Sequence, residues 1–400
     1  MTQADRLVLL RLLRATVQVA LVVDFALYLR GLDWDGRSIG TLLATSLAAG
    51  LAMTAIAGPL SDRIGRRGLM LGFHALLAVA AILALLADDI TLVIAAILAQ
   101  YGRSSNGSAG PFGPVEQAWL ADLTPAEARR RQFARNSAAG FLGMAVGGLF
   151  AAVSPVRMVF IAALLISLAG AAIVVTLPDP ARPAAARRKP VPPTEAERAK
   201  LRRLAFANML LGLGTGLTGP LLAYWFAIRF GHGPASIGPV IAASFAAAAG
   251  ASLLAARLAE RLGTLPVVIG MRLAGLAMLL ALPFAPGFAS AAALTVLRSL
   301  CNRGTNGTRQ ALSVSLVGEA RRGTVAALNT LSLALPRVAG PAIAGALFEA
   351  GYFRAPFLLA AGFQAAYLAV YAWSFRGEPA ARPAARVATA GQEPAAQRAG

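Results

Sequence analysis

Ionisable side chains sit inside long apolar runs, among them Asp24, Arg103, Glu116, Arg272, Arg298, Arg303, Arg309 and Arg337. A charge at the centre of a bilayer costs about 2.5 to 3.5 kcal/mol even on the lenient insertion scale, so each needs a partner or a wet cavity. Carboxylates can exchange protons, whereas arginine does not deprotonate in proteins. Arg103, Arg298, Arg303 and Arg309 against Asp24 and Glu116 leave the set net positive, which suits an anionic solute or carboxylate partners. Asp24 lies about 9 Å from Arg30 at the end of its run, and Arg103 lies about 20 Å along its own run from Ile90. The two can therefore meet. Asp24 is read either as a proton-coupling or cation-binding group beside Arg103, or as a helix-end carboxylate facing an outer vestibule.

These charges are exceptions in a chain that is 57% hydrophobic and only 14% charged over 400 residues, with a mean hydropathy of +0.65. Soluble proteins carry roughly 25% charged residues, so lipid must be the solvent. One cysteine, Cys301, and two histidines, His74 and His232, argue against disulfide frameworks and metal sites, and no cofactor is expected. Walker, Ser-His-Asp and HExxH patterns are missing, which argues against an ATP-driven pump or an intramembrane protease, and no enzymatic activity is expected. The net charge of +19 is spread between apolar runs rather than gathered on one basic domain, so nucleic acid is not the expected partner.

Apolar runs long enough to cross a membrane number twelve, at 10–30, 38–58, 69–87, 90–121, 137–153, 155–177, 204–229, 236–256, 265–284, 288–316, 325–348 and 355–375. The fourth is interrupted by Gly107, Gly110, Pro111, Gly113 and Pro114, which membrane helices tolerate where a neighbour or a cavity satisfies the backbone. Arginines collect in alternate loops: Arg63, Arg66 and Arg67; Arg129 to Arg131; Arg187 to Arg203; Arg257 and Arg261; Arg321 and Arg322. The positive-inside rule puts these loops and both termini in the cytoplasm, giving a multi-pass protein of the cytoplasmic (inner) membrane. The organisation expected is a six-helix bundle over 1–177, a cytoplasmic linker over 178–203 with a short helix started by Thr194–Glu197, a second bundle over 204–376, and a disordered tail over 377–400. No removable signal peptide is expected at the amino terminus. Tyr224, Trp225, Phe226 and Trp119 read as interface anchors and His74 as a packed histidine.

The chain repeats itself. Ser38-Ile39-Gly40 returns as Ser236-Ile237-Gly238, and Asp62-Arg63 with Gly65 returns as Glu260-Arg261 with Gly263, both 198 residues on. Gln117-Ala118 returns as Gln310-Ala311 and Asn136 as Asn329, both at 193. An even-numbered unit of six spans enters twice from the same side, so the halves are parallel repeats about an axis along the membrane normal. Glu116 and Arg309 are equivalent at the same offset. They can face each other as a salt bridge closing the inner half of a central cavity, or each can have a partner within its own half.

Gly58 to Arg67 reads GPLSDRIGRR between the second and third spans. This resembles the signature loop of the major facilitator superfamily, with Gly58, Leu60, Asp62, Arg63, Gly65, Arg66 and Arg67 all matching. The second copy keeps Glu260, Arg261 and Gly263 but loses the following pair of arginines. The resemblance implies an all-helical membrane fold of two six-helix repeats, a central cavity lined by spans one, four, seven and ten, and a gating role for the loop paired with Asp122. It implies a secondary transporter of a small solute working by alternating access, with proton-coupled efflux by an antiporter as one form. An uptake permease for an anionic metabolite, or a scaffold or sensor that no longer transports, are the alternatives. Arg103 with Gly107, Gly110 and Pro114 is similar to the fourth-span motif of proton-coupled antiporters, but lacks its usual Gln-Gly. The expected partners are the substrate, protons and the bilayer, and the expected state is a monomer.

Overall fold

The computed structural model describes residues 2–101, 110–178, 195–306, 309 and 322–375. All of the regular structure among them is helical. Eight helices are long and apolar enough to cross a membrane, and a bent pair makes a ninth. The other runs are helical where they are described. Span 1 is Gln3–Gly31, whose charges Arg14, Asp24 and Arg30 dilute its apolar character. Span 4 is divided into Asp89–Ala99, which ends at Gln100, and Phe112–Asp122; of the predicted Gly and Pro interruption, Gly110 and Pro111 precede the second helix, Gly113 and Pro114 lie inside it, and Gly107 lies outside the described residues. Span 10 is Phe288–Gly304, after which most residues to 321 lie outside the described set.

Local chemistry explains where the spans begin. Asp35 caps span 2 (Gly36–Ile64) by accepting from the Ser38 backbone N–H at 2.6 Å. Asp88 caps the first part of span 4 by accepting from Thr91 N–H at 3.0 Å. These backbone bonds stabilise the ionised carboxylates and hold both below the usual carboxylate range. Gly65 ends span 2 and opens span 3 (Arg66–Leu86) with φ +88°, and Gly263 does the same between spans 8 (Pro234–Leu262) and 9 (Thr264–Ala281) with φ +92°. Both values favour glycine, so the duplication seen in sequence is also a duplication of backbone geometry.

One expectation changes. The helix of the linker is not separate: Glu195–Thr218 runs unbroken into span 7, because 195–203 is built of strong helix formers with no Gly or Pro to stop it. Its proposed cap Thr194, the rest of the linker from 179, and the tail lie outside the described residues. Span 7 then bends by 40° before Leu222–Phe230, at Gly219-Pro220, where a prolyl ring removes a helical hydrogen bond. The outer faces of the bundle are apolar, with Ile90, Val153, Leu165 and Leu335 exposed, as a surface solvated by lipid requires.

Contacts between the halves pair span 2 with span 11 (Arg322–Arg337 and Ala339–Glu349), and span 5 (Ala126–Val153) with span 8. Those resolved to atoms lie toward the base-poor end. A Cβ on Gly40 would come 2.3 Å from the Pro341 carbonyl oxygen, and one on Gly238 would come 2.3 Å from that of Gly148. Gly36 N–H donates to Glu349 Oε2 across the seam at 2.7 Å. Close helix approach through small residues is how membrane helices gain packing energy without a hydrophobic drive.

Candidate functional site

The buried charges assemble into two repeat-related clusters. In the first half, Arg14 of span 1 forms a salt bridge with Glu116 of span 4, and Asn136 Nδ2 of span 5 donates to the other Glu116 oxygen at 2.6 Å. Glu116 is 1% exposed and Arg14 is 8% exposed. The Arg14 guanidinium also sits 4.1 Å from the Phe112 ring centroid. In the second half, Arg309 Nη1 of span 10 donates to Asn208 Oδ1 of span 7 at 2.7 Å, and Asn208 Nδ2 donates to Asn329 Oδ1 of span 11 at 2.6 Å. The three positions are equivalent in the two halves. Span 1 supplies arginine where span 7 supplies asparagine, and span 4 supplies glutamate where span 10 supplies arginine.

This geometry answers the question left open for Glu116 and Arg309. In this conformation they are not joined to each other, because each has a partner on the first helix of its own half. Arg14 is the residue that sequence reasoning missed. It lies inside the first apolar run, as does Arg11, and the repeat places Asn208 194 residues beyond it.

The other arginines of the second half take hydroxyl, amide and aromatic partners. Arg298 reaches Thr218 Oγ1 at 3.4 Å, Arg303 donates to Ser299 Oγ at 2.8 Å, and Arg272 donates to Asn306 Oδ1 at 2.9 Å. Arg303 stacks 4.4 Å from the Phe245 centroid. Arg337 ends the first part of span 11, with its backbone carbonyl against Gly216. Asp24 is 2% exposed, and neither carboxylate oxygen has a hydrogen-bond partner among the described residues. Its expected partner, Arg103, lies outside them.

At the basic end, Arg66 of the signature loop forms a salt bridge with Asp122 and donates to the Ala118 carbonyl at 3.0 Å. The pairing expected from the loop is therefore present. The surroundings of Gly58 and the side chain of Asp62 lie outside the described set. Arg63, Glu260 and Arg261 are exposed and Arg67 is half-buried.

The aromatic anchors are corrected. Trp225 and Phe226 are buried, and Trp225 Nε1 donates to the Phe353 carbonyl at 3.1 Å. Trp119 is buried too and donates to the Pro178 carbonyl at 3.1 Å. Their indole N–H groups have backbone acceptors at loop ends, so these rings pack inside the bundle instead of standing at the lipid interface. His74 packs edge-on to Phe112, with centroids 5.3 Å apart, as a core histidine.

Two repeats of membrane-crossing helices, side by side and with charges on their inner helices, make this a multi-pass membrane protein. The Major Facilitator Superfamily profile matches residues 7–203 and again 204–398, and the chain belongs to that family. Among solved structures, a bacterial homologue of the human lysosomal transporter Spinster, inward-facing and unoccupied, superposes with a TM-score of 0.71 at 13% identity, covering 94% of this chain and 96% of that one. The nucleoside transporter NupG gives 0.70 at 15% identity, covering 94% and 100%. A D-xylose–proton symporter gives 0.71 at 14%, covering 93% and 97%. Identities this low speak for the fold alone. An uncharacterized membrane protein of Saccharomyces cerevisiae is 24% identical over 123 residues, 31% of this chain, and the match spans 28% of that protein's length.

Proposed function

We propose that the chain carries a small anionic solute across the cytoplasmic membrane by alternating access, with both termini on the cytoplasmic side. The observation that supports this is the charge balance of the second half. Its apolar runs hold Arg272, Arg298, Arg303, Arg309 and Arg337, while the carboxylates of 204–376 are Glu260, Glu319 and Glu349, all beyond the ends of those runs. The hydroxyl and amide partners of Arg272, Arg298 and Arg303 orient a guanidinium without neutralising it, so an anion entering between the halves supplies the counter-charge.

With the basic loops inside, the seam through Gly40, Gly148, Gly238 and Pro341 closes the outer mouth, and the conformation reads as inward-facing. The Arg66–Asp122 pair then belongs to the latch that re-forms around the inner mouth in each cycle. Asp24 is the group suited to couple a proton to the solute, since it is a buried carboxylate on a cavity-lining span. The test is transport by purified protein in liposomes, using panels of organic anions, neutral solutes and cations under imposed potentials and pH gradients. Movement of an organic anion is the expected result. Movement of cations or neutral solutes alone would contradict the anionic reading, and a failure of every solute would favour a scaffold.

A further inference from the structure

Two seams join the halves at the base-poor end, and the repeat makes them equivalent. Gly40 meets Pro341 between spans 2 and 11, and Gly238 meets Gly148 between spans 8 and 5. Gly238 lies 198 residues beyond Gly40, and Pro341 lies 193 beyond Gly148, which are the two offsets of the duplication. The seams differ at one place. Between spans 2 and 11, Gly36 N–H donates to Glu349 Oε2 at 2.7 Å. The positions equivalent to these two are Pro234, which has no N–H, and Val156, whose side chain has no acceptor. A charge-assisted bond therefore joins the halves at one seam and has no counterpart at the other.

Helix electrostatics give the position of Glu349 a meaning. It is the last residue of Ala339–Glu349, where a negative charge opposes the macrodipole of its own helix. The same carboxylate lies at the N-terminus of span 2, where a negative charge and an acceptor are both favourable. Asp35, the cap that span 2 carries itself, is engaged with Ser38, accepting from its N–H at 2.6 Å and from its hydroxyl at 3.1 Å, and leaves Gly36 N–H to Glu349. The approach is close: a Cβ on Gly36 would come 3.1 Å from the Gly345 carbonyl oxygen and 3.1 Å from the Tyr224 hydroxyl. Arg30 of span 1 stands 6.0 Å from the Tyr224 ring centroid, and no salt bridge joins Arg30 to Glu349 among the described residues. Glu349 is thus poorly placed for the helix that carries it and well placed for the helix it meets, so its charge gains from span 2 only while the seam is shut.

We infer that Glu349 is a gate residue: its carboxylate caps span 2 from the opposite half and biases the protein toward the conformation in which this mouth is closed. That the mouth is the outer one rests on the inward-facing reading above; the bias itself does not.

The experiment measures spin-label distances in the purified full-length protein in detergent, with labels on Thr41→Cys and Tyr352→Cys, both exposed positions, and Cys301→Ser as background. A charge at a helix terminus shifts an equilibrium by about two- to fivefold. Glu349→Gln keeps an acceptor and loses the charge, so the ratio of open to closed mouth should rise by about that factor. Glu349→Lys suits its own helix end and is repelled by that of span 2, so it should raise the ratio further, by about tenfold. Asp35→Ala removes a cap that span 2 uses in both conformations, and should lower stability while leaving the ratio unchanged. An unchanged ratio in both Glu349 variants overturns the proposal, and so does a loss of stability in Glu349→Gln with no shift, which would make Glu349 a structural cap only. A shift in Asp35→Ala as large as that in Glu349→Gln also overturns it, because the effect would then belong to span 2 and not to the contact across the seam. Membrane-impermeant thiol reagents report which side the mouth faces. Labelling of Tyr352→Cys in inverted vesicles but not in whole cells would contradict the inward-facing reading and leave the Glu349 shift standing.

Discussion

Replacing Arg14 by Gln tests whether the first-half cluster is a local ion pair. Glu116 is 1% exposed and its two oxygens are divided between Arg14 and Asn136. Losing the guanidinium leaves a buried carboxylate with one neutral donor, and breaking a buried pair in this way costs about 3 to 5 kcal/mol. Arg309→Gln is the matched control. Arg309 donates to the neutral amide of Asn208, and a hydrogen bond to a charged group contributes about 1.5 to 3 kcal/mol, part of which is offset because a buried charge is removed. Arg14→Gln should therefore destabilise the protein by more, although the two residues belong to equivalent clusters. Unfolding in mixed SDS and mild-detergent micelles supplies the free energies. In a double-mutant cycle, Arg14 and Glu116 should couple by about 3 kcal/mol, while Glu116 and Arg309 should be additive to within about 0.5 kcal/mol. The exchange Glu116→Arg with Arg309→Glu sets an arginine against Arg14, so it should not recover the stability lost in either single variant. Larger coupling between Glu116 and Arg309 than between Arg14 and Glu116, or rescue by the exchange, would refute the local pair and restore a gate across the axis.

Gly40→Ala and Gly147→Ala should part company: the first puts a methyl against Pro341 across the seam between halves, the second against Thr16 of span 1 within one half. Spin-label distances across the outer mouth should show Gly40→Ala shifted toward an open mouth with little loss of stability, and Gly147→Ala destabilised with no such shift. Asp122→Asn removes the partner of Arg66; because the pair is partly exposed its loss should change stability by less than about 1 kcal/mol but slow transport, and wild-type turnover would argue against a latch. Asp24→Asn should abolish the pH dependence of gradient-driven accumulation, and an unchanged pH profile in liposomes would reduce Asp24 to a vestibule charge. Reporter fusions at Phe375 should be active in the form that requires the cytoplasm, and periplasmic activity would invert the topology.

Composition and periodicity alone determine the solvent, the spans and the duplication, since each is a property of residue type and spacing that survives any arrangement of the helices. Lipid selects apolar runs of fixed length, the arginine loops alternate, and Gly65 with Gly263 show that a repeat in sequence is a repeat in dihedral angle. Of the interruption expected in span 4, Gly110 and Pro111 precede its second helix, whereas Gly113 and Pro114 are accommodated inside it. The pairing of Arg66 with Asp122 was legible only through family resemblance, because the two are far apart in the chain. What the tertiary structure decided is which buried charges meet. Equivalence by repeat suggests that Glu116 and Arg309 can face each other, yet it is silent on distance, and Arg14 reaches Glu116 because span 1 packs in its own half, chiefly against span 5, with its Arg14 within reach of span 4. Trp225 and Trp119 were misread for a related reason: an indole near a helix end looks the same in sequence whether its N–H meets a lipid headgroup or, as here, the carbonyls of Phe353 and Pro178. Burial, like pairing, belongs to the packing of one helix against another, and neighbours brought together from distant parts of the chain leave no periodic mark in it.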